Sequence, residues 1–467
     1  MAVSLKPTHL KRYKDIAVLL MKYGRRDLAE RLDVDAEVSA APGEGPKAEE
    51  LARDLERLGP TFVKVGQLLS TRADLLPVSY LEALARLQDQ VEPFSFAEVE
   101  RIVTEELGVR ISKAFADFEA TPLAAASLGQ VHRATLRDGR AVAVKVQRPG
   151  IREQIVEDLD AFTEIAQLLD RHAEAGRLYQ FEKMVDEFRQ TLLRELDYRQ
   201  EAQNLSTLRE NLKEFDRIVV PAPVEGFTTS RVLTMEYVFG QKITSLSPLT
   251  RIEMDGAVLA EELHRAYLKQ ILVDGFFHAD PHPGNVFLND DGRLALLDLG
   301  MIGRISPVMQ ENLLKLLLAI SEGRGDEAAD RAAEIGEKLD TFDEVEFRRS
   351  VAALGGVYQH AKLEEIEIGR VVLEVSRAAG EAGVRLPPEL TMLGKTLLHL
   401  DEIARTLDPT FDPNASVRRN AAQLLQRRMR KSATPSNLYA SLLEAKDFIE
   451  KLPGRVNKVL DILANNQ

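Results

Sequence analysis

The sequence predicts an α+β protein in which a small β-containing lobe precedes a larger helical lobe, with helical extensions around the two. First, apolar residues recur with helical periodicity over most of the 467-residue chain. Second, residues 127–147 alternate apolar and polar types around an Asp-Gly turn at 138–139, the signature of a hairpin. Third, two more strand patterns, at 231–238 and 292–300, precede a stretch from 306 onward that shows only helical patterns and helix-breaking prolines.

Composition excludes several classes of protein. The chain has no cysteine, so disulfides, thiol catalysis and zinc-thiolate sites are ruled out. Subtracting 74 acidic from 61 basic residues gives a net charge of −13, which argues against a general nucleic-acid binder. The sequence contains no continuous apolar run of membrane-spanning length, and its start lacks the cleavage site of a secretory signal. We therefore expect a soluble, cytoplasmic protein.

The elements follow in order along the chain. An amphipathic helix is predicted at 8–33, a Gly- and Pro-containing linker at 38–50, a helical block to about 120, and more helices at 151–214. The chain is too long for one core. The predicted regions are an N-terminal helix and linker at 1–50, a helical extension at 51–122, the small lobe with inserted helices at 123–240, and the helical lobe with C-terminal helices at 241–467.

The hairpin carries a phosphate-binding pattern. Residues 124–131, AAASLGQV, fit the template G-x-G-x-x-G-x-V, with Ala124 and Ala126 in place of the first two glycines and Gly129 as the third. The following VAVKV matches the V-A-I-K strand, whose lysine contacts the α- and β-phosphates of ATP, and this lysine is Lys145. The alternative, a surface lysine, is less consistent with its flanking valines and alanines.

A phosphate-binding lysine needs an acidic partner. The segment 192–205 offers Glu195, Asp197 and Glu201. If this segment is one helix, Asp197 and Glu201 share a face and Glu195 points elsewhere, so one face can serve the lysine and the other a different partner. A solvated acidic helix face is the alternative.

The segment HADPHPGN at 278–285 matches the catalytic loop of kinases. Asp280 and Asn285 have the five-residue spacing of H-R-D-L-x-x-x-N, and Asp298 in DLG takes the position of the Asp in D-F-G. Carboxylate and amide oxygens at these positions hold magnesium, and a carboxylate lies near the attacking group. The alternative is an ordinary turn-rich loop, because His-Pro and Pro-Gly are common turn formers.

A zinc site is a further alternative for this segment. His278 and His282 lie four residues apart, as two zinc ligands do on a helix. Pro281 and Pro283 prevent the helix that this geometry requires. Magnesium is therefore the preferred interpretation.

With Lys145, Asp280, Asn285 and Asp298 in this order, the sequence resembles the UbiB-type atypical kinases, the family associated with ubiquinone biosynthesis, from about residue 50 to 440. The family's K-x-G-Q motif is Lys64-Val65-Gly66-Gln67. Its alanine-rich loop stands at 124–127, its E-x-D motif at 195–197 and its hinge to the adenine at 235–238. The resemblance implies a protein-kinase-like two-lobed fold, with the KxGQ helix covering the active site.

The resemblance also implies roles for individual residues, with ATP and Mg²⁺ as cofactors. Asp280, Lys145 and Glu201 are the expected catalytic residues, with Glu201 as the ion-pair partner of Lys145, and Asn285 and Asp298 are the expected metal ligands. The expected nucleotide contacts are Ala124, Ala125, Ala126, Ser127, Gly129, Val131, Lys145, Glu236 and Val238. The expected gate over the active site consists of Lys64, Gln67, Glu195 and Asp197.

Two departures from ordinary protein kinases bear on the reaction. Ala279 replaces the Arg of H-R-D, which would hold an activation-loop phosphate. After Asp298 the chain runs directly into a predicted helix, without a long activation segment or an A-P-E motif. A phosphorylation switch and a platform for a peptide substrate are therefore not expected.

The motifs favour an atypical kinase-like ATPase or phosphotransferase, and the family resemblance implies that it supports ubiquinone biosynthesis. A nucleotide-binding pseudokinase scaffold and a conventional protein Ser/Thr kinase are the alternatives. The expected partners are ATP or ADP and a lipid or isoprenoid quinone precursor, and nucleic acid is not expected. The amphipathic segments at the two ends either pack in the core or contact the inner face of a membrane peripherally.

Overall fold

The computed structural model describes the residues 10–30, 44–70, 72, 76–87, 91–172, 181–339, 342–359 and 367–420. Within these ranges the helices are α1 Leu10–Glu30, α2 Glu44–Leu58, α3 Pro60–Leu69, α4 Val78–Ala85, α5 Phe96–Leu107, α6 Ile111–Ala114, α7 Ile151–His172, α8 Phe181–Glu195, α9 Tyr198–Asn211, α10 Pro248–Glu253, α11 Gly256–Lys269, α12 Pro307–Ser321, α13 Gly325–Ile335, α14 Glu344–Gln359, α15 Ile368–Glu381 and α16 Pro388–Leu407.

The strands of the same ranges are β1 Phe115–Phe118, β2 Ala124–Ala125, β3 Gly129–Leu136, β4 Ala141–Gln147, β5 Ile218–Val219, β6 Val232–Glu236, β7 Gly240–Lys242, β8 Phe276–His278, β9 Val286–Asn289, β10 Leu294–Leu296, β11 Ile302–Arg304, β12 Glu337–Lys338 and β13 Val384–Arg385. Together they confirm the predicted α+β architecture of a small β-containing lobe and a larger helical lobe.

The small lobe is an antiparallel sheet of order β1-β3-β4-β6, with β2 paired to β3. The predicted hairpin is β3 and β4, and Gly139 in its turn has φ +90°, which glycine adopts without steric cost. The apolar face of α5, with Val99, Ile102 and Val103 fully buried, packs in one cluster with the inner side of the sheet. The prediction of helix up to about residue 120 is wrong at its end, because β1 pairs with β3 and buries Phe115.

The N-terminal extension is a cluster of helices α1 to α4 beside α7. Its core contains Ile16 of α1, Leu55 of α2, Phe62 of α3 and Leu84 of α4. The predicted linker at 38–50 is wrong from residue 44 onward, where α2 begins. Pro46 stands in the first turn of this helix, where no intrahelical N–H bond is needed, so a proline does not interrupt it. Residues 38–43 lie outside the described ranges.

The larger lobe surrounds one extensive apolar core, to which α11, α12, α15 and α16 all contribute. The larger lobe also contains a small sheet of order β5-β10-β9-β7 and the antiparallel pair β8-β11. Of the strand predicted at 292–300, only β10 is extended. The short pair β12-β13 lies in the stretch that was predicted to be wholly helical.

The segment 192–205 is not one helix, contrary to the prediction. The α8 helix ends at Glu195 and α9 begins at Tyr198, with Asp197 as its N-cap: the carboxylate accepts a hydrogen bond from the N–H of Arg199 at 3.1 Å. Asp197 and Glu201 therefore do not share a helical face, and Glu195 lies on a separate helix from Glu201.

No helix in the described ranges combines the length and the apolar character needed to cross a membrane. The amphipathic segment expected at the C-terminus falls on residues 421–467, which lie outside the described ranges.

Candidate active site

Lys145 projects from β4 toward two carboxylates. Its Nζ atom lies 2.9 and 3.2 Å from the two carboxylate oxygens of Glu201 and 3.4 Å from Oδ1 of Asp298. The predicted ion pair between Lys145 and Glu201 is thus present. Burial alone lowers the pKa of Lys145, but the charges of Asp298 and Glu201 outweigh burial and hold it well above its ordinary value. Lys145 is therefore a permanent cation at the centre of the site.

The first turn of α9 fixes the position of Glu201. Its neighbour Tyr198 is buried, and the Lys145 ammonium lies 5.3 Å from the centre of the tyrosine ring. Leu205, one turn further along, is buried in the main core and anchors the helix. The Nδ2 group of Asn204 donates to the carbonyl of Leu299 at 3.0 Å, so the same helix also holds the DLG segment.

Asp298 adopts an unusual backbone conformation. Its φ of +57° lies in the left-handed region, and it is the one non-glycine residue with positive φ in the described ranges. Such strain costs of order 1–2 kcal/mol and concentrates at functional sites. The charge of Lys145 lowers the pKa of Asp298, and Lys64 adds to the effect. The carboxylate is therefore anionic, and its side chain is 53% exposed.

The catalytic loop and the DLG segment are joined by backbone hydrogen bonds. The N–H of Ala279 donates to the carbonyl of Met301 at 3.0 Å, and the N–H of Leu297 donates to the carbonyl of Asn285 at 2.9 Å. A π-helical turn, Gln270–Asp274, precedes the loop, and the Gln270 side chain accepts from the N–H of His278 at 3.1 Å. These contacts place Asn285 next to the residue that precedes Asp298.

The donors at this position fit magnesium. Asn285 offers an amide oxygen and Asp298 a carboxylate, and Mg²⁺ prefers one or two such protein oxygens together with phosphate oxygens and water. Within the described ranges no group of three or more His, Asp or Glu side chains has metal-binding geometry. His278 lies at the end of a strand and His282 in a turn, so the two histidines do not form the helical pair that a zinc site would use.

Asp280 has two partners that the sequence did not reveal, both on α16. Its Oδ1 atom lies 3.6 Å from Nζ of Lys395 and 3.7 Å from Nδ1 of His399. Burial raises the pKa of Asp280, but Lys395 and His399 overcome this and lower it to about 2. Lys395 and His399 lie one turn apart within an apolar helical pattern, and this polar pair on a buried face is the signal that could have suggested a site.

The alanine-rich loop is a closed hairpin. Ala124 and Ala125 pair with Val131 and Gln130, and the N–H of Ala126 donates to the carbonyl of Gly129 at 2.7 Å. None of the loop's alanines is left-handed. The hydroxyl of Ser127 is buried and has no hydrogen-bond partner among the described residues. The N–H of Ala126 is therefore already occupied by a hydrogen bond within the loop.

Gly129 is required by close packing. A Cβ atom at this position would lie 2.5 Å from the hydroxyl of Tyr198 and 2.5 Å from the carbonyl of Val146. The loop, β4 and α9 therefore meet at this residue.

The predicted hinge follows β6. The carboxylate of Glu236 accepts hydrogen bonds from Arg209 at 2.8 Å and from the N–H of Ala222 at 2.9 Å. The carboxylate is therefore already bound by groups of the protein itself. The N–H of Tyr237 donates to the carbonyl of Ala141 at 3.1 Å, and Val238 follows directly. Val131 lies elsewhere, in β3, where it pairs with Lys145 of β4 and packs against the main core.

The KxGQ helix is α3, and it reaches the site through one residue. Lys64 is largely buried and forms an ion pair and hydrogen bond with Glu195 at the end of α8. The Glu195 side chain in turn lies close to Gly300 of the DLG segment. Of the predicted gate, the structure therefore brings together Lys64 and Glu195.

The other predicted gate residues have different contacts. The Nε2 group of Gln67 donates to the carbonyl of Leu87 at 3.3 Å, within the extension. Asp197 pairs with Arg199 at 2.8 Å and caps α9. A Cβ atom on Gly66 would overlap the leucine side chains of α2 and of the α4 region, so this glycine allows α3 to pack closely inside the extension.

Comparison with protein families gives two adjoining matches. The model described as "ABC1 atypical kinase-like domain" matches residues 86–331, and the model described as "UbiB helical domain" matches residues 351–412. The first contains Lys145, Asp280 and Asp298, and the second contains Lys395 and His399.

Individual relatives agree with these matches. A "Probable protein kinase UbiB" of Cellvibrio japonicus is 34% identical over 90% of this chain and 76% of its own length. The "Protein ACTIVITY OF BC1 COMPLEX KINASE 8, chloroplastic" of Arabidopsis thaliana is 36% identical over 80% of this chain and 54% of its own length. Three of the relatives are longer than this chain, which spans 65%, 65% and 54% of their lengths.

A solved structure is similar in fold. The complex of Rv3197 with erythromycin from Mycobacterium tuberculosis aligns with a TM-score of 0.51 at 26% identity, and the alignment covers 74% of this chain and 88% of that chain.

Proposed function

Since the chain belongs to the family of ABC1 and UbiB atypical kinase-like proteins, we propose that it binds Mg-ATP and hydrolyses it or transfers its γ-phosphoryl group. We further propose that this activity supports the biosynthesis of an isoprenoid quinone such as ubiquinone, and that a lipid-like precursor is the partner or the acceptor.

One observation carries the catalytic proposal: Lys145 contacts Glu201 and Asp298 at the same time, at 2.9 and 3.4 Å. In kinase-like enzymes the corresponding lysine must be paired with the helix glutamate, and the DLG aspartate must face the nucleotide, before the phosphates are correctly oriented. The pair of Lys145 and Glu201 is formed, and Asp298 lies beside the same lysine, without an activation segment. A pseudokinase scaffold needs neither, so the complete set of groups favours an enzyme.

Each residue has a definite task in this proposal. Lys145 holds the α- and β-phosphates, and the Ala126 to Gly129 hairpin covers them from above. Asn285 and Asp298 would hold magnesium, which neutralises the charge of the phosphates when it is bound. Asp280 remains anionic at neutral pH because its pKa is about 2, so it can accept the proton of an attacking hydroxyl or orient a water molecule.

The KxGQ helix argues against a conventional protein kinase as the alternative. Residues Thr61 to Gly66 of this helix are buried in the extension and against α7 and α8. The Lys64 ion pair with Glu195 lies beside Gly300, so the KxGQ helix is fixed next to the DLG segment. A small acceptor can reach Asp280 more readily than a folded protein can.

The α1 helix offers a route by which a membrane can affect the site. Leu10, Lys14 and Val18, spaced by four residues, are exposed, as in a helix that lies on a bilayer surface. On another face, Arg12 pairs with the buried carboxylate of Asp158 at 2.5 Å. The same carboxylate accepts the hydroxyl of Thr61, in the KxGQ helix, at 2.5 Å.

We therefore propose peripheral contact with the inner face of a membrane, at the cytoplasmic side. A membrane that draws α1 away would remove Arg12 from Asp158 and loosen the KxGQ helix.

The test is steady-state ATP turnover of the purified chain with Mg²⁺, alone, with a phenolic lipid mimic, and with anionic phospholipid vesicles. Turnover that is stimulated by the additions and lost in Asp280→Asn supports the proposal. Nucleotide binding without turnover under every condition would instead support the pseudokinase scaffold, and efficient phosphorylation of generic proteins would support the conventional kinase.

A further inference from the structure

The catalytic loop is held from outside the kinase-like domain, by α16 of the helical domain. Thr396 Oγ1 donates to the carbonyl of Ala279 at 3.0 Å. Lys395, the preceding residue, directs its ammonium group at Asp280, 3.6 Å from Oδ1. The loop therefore has a backbone contact and a charge contact with the same helical turn, 115 positions away in sequence.

Lys395 is buried where an apolar residue would be expected. It is 8% exposed and stands in the sequence LTMLGKTLLHL, among residues that form the main core. An ammonium group in such a place costs several kcal/mol unless a nearby anion offsets it. Leucine would stabilise the helix packing better, so packing alone does not explain a lysine at this position.

The backbone around Lys395 is held rigidly. A Cβ atom on the adjacent Gly394 would lie 3.0 Å from the carbonyl of Gly369 and 2.9 Å from the side chain of Leu373. The reciprocal Cβ on Gly369 would lie 2.5 Å from the carbonyl of Gly394. Two glycines thus bring α15 and α16 into direct backbone contact, and the base of the lysine side chain cannot shift without disturbing both helices.

Lys395 is also the cation in this cluster at neutral pH. Burial and the nearby Lys395 lower the pKa of His399 to about 4, so its ring is neutral. The His282 ring lies 5.7 Å from the His399 ring at 87°, and this packing fixes the imidazole against the loop. Of the two α16 side chains that face Asp280, Lys395 is therefore the one that opposes its charge.

From this arrangement we infer that Lys395 is a positioning residue for the reaction: it holds Oδ1 of Asp280, so that the second carboxylate oxygen faces the attacking hydroxyl or water. The inference rests on the proposed Mg-ATP turnover. It gives the helical domain a defined part in that reaction, since the charge that orients Asp280 comes from α16 and not from the catalytic loop itself.

If Lys395 only positions Asp280, its replacement should lower the rate of turnover and leave nucleotide affinity unchanged. Lys395 contacts Asp280, whereas the nucleotide contacts are Lys145, Asp298 and the hairpin loop. Misplacing a catalytic group by about 1 Å can reduce turnover about 100-fold. We expect Lys395→Met to lower kcat by about 10- to 100-fold, with the affinity for Mg-ADP within about twofold of the unaltered chain.

The experiment is a double-mutant cycle of Lys395→Met and Asp280→Asn, measured as single-turnover ATP hydrolysis and as Mg-ADP binding by calorimetry. Lys315→Met is the matched control, because Lys315 forms an exposed ion pair with Glu311 on α12. Lys395→Arg keeps the charge and should recover part of the rate. If Lys395→Met does not fold, Lys395→Arg and Lys395→Gln carry the same cycle.

The outcomes are distinct. If Lys395 acts through Asp280, its replacement causes little further loss in the Asp280→Asn background. Equal losses in both backgrounds, or no loss in the unaltered background, would overturn the inference. Absence of ATP turnover in the unaltered chain would contradict the proposed function itself. If, in addition, every Lys395 variant binds Mg-ADP with the same affinity as the unaltered chain, the contact between Lys395 and Asp280 is only structural. That result would overturn the positioning role as well.

Discussion

The ammonium group of Lys145 bridges Asp298, at 3.4 Å, and Glu201, at 2.9 Å, so one cation joins the DLG segment to the α9 helix. In the proposed function the two carboxylates serve different ligands: Asp298 would hold magnesium, and Glu201 would stay paired with Lys145. A divalent cation at Asp298 would then compete with the contact between Asp298 and Lys145.

Asp298→Asn should abolish Mg²⁺-dependent nucleotide binding while leaving the fold intact. The amide removes the anionic ligand, and Asn tolerates the left-handed conformation that residue 298 adopts at φ +57°. Calorimetric titration of ADP with and without Mg²⁺ measures the effect. Asp291→Asn is the control, since Asp291 is 70% exposed in the β9-β10 turn. Equal Mg-ADP affinity in Asp298→Asn and the control would remove Asp298 from the metal site.

Lys145→Ala should eliminate ATP turnover and lower stability. The pair with Glu201 is nearly buried, with the two side chains 17% and 6% exposed, so removal of the lysine leaves two neighbouring carboxylates without their shared cation. We expect a loss of about 1–3 kcal/mol in the free energy of unfolding. The double variant Lys145→Ala with Glu201→Gln should regain part of this stability. Chemical denaturation measures both, and additive losses would contradict the pairing.

Gly129→Ala should be more disruptive than Ala126→Gly. The added methyl group at residue 129 would overlap the Tyr198 hydroxyl and the Val146 carbonyl, both at 2.5 Å. Ala126→Gly only adds backbone freedom to the closed hairpin, roughly 0.5–1 kcal/mol. We expect Gly129→Ala to lose nucleotide binding and several degrees of thermal stability, and Ala126→Gly to change the ratio of ADP to ATP affinity. Wild-type constants for both nucleotides in Ala126→Gly would show that the loop does not select between them.

The sequence predicts those parts of the site that lie within short motifs. The VAVK strand and the HADPHPGN loop each span only a few residues, so Lys145, Asp280 and Asn285 could be matched to kinase motif positions from the sequence alone. The prediction of a single helix at 192–205 is wrong, because helical periodicity continues across the break between α8 and α9. Asp197 followed by Gln200 is a capping pattern, and it marks the helix start that the structure contains.

The parts that could not be predicted depend on contacts between distant segments. Lys395 and His399 have no local signal that links them to Asp280, because their proximity arises from the packing of α16 on the catalytic loop. Gln67 and Lys64 do lie three residues apart on one helix, but their partners come from different parts of the chain. Helical spacing indicates which residues are neighbours and not what each one meets.

The free energy of unfolding should decrease as the pH falls through the range in which His399 is neutral in the folded chain and protonated in the unfolded chain. Its pKa is about 4 in the folded chain because of burial and Lys395, against 6.5 ordinarily. The unfolded chain therefore binds an additional proton between these values, and stability decreases as pH falls from about 6.5 to about 4. His399→Gln should reduce this loss by up to about 3 kcal/mol. Denaturation at a series of pH values tests this, and an unchanged pH dependence would contradict it.

The ion pair between Lys64 and Glu195 should couple the KxGQ helix to the active site. The side chains are 11% and 17% exposed, and Lys64 also lowers the pKa of Asp298, so loss of the lysine alters both the contact and the charge near the DLG segment. Lys64→Met and Glu195→Gln should each loosen the cover and change the rates of ATP hydrolysis and autophosphorylation. Lys315→Met is the control, because Lys315 pairs with Glu311 on α12, outside the extension.

Replacing Lys64 and Glu195 together distinguishes a direct gate from two independent effects. If the pair holds the KxGQ helix over the site, the double variant should resemble either single variant, with a coupling energy of about 0.5–3 kcal/mol. Phospholipid vesicles should then stimulate the unaltered chain but not the double variant, because its cover is already released. Strictly additive effects, together with full vesicle stimulation of the double variant, would mean that membranes act elsewhere and that the KxGQ helix is only a structural support.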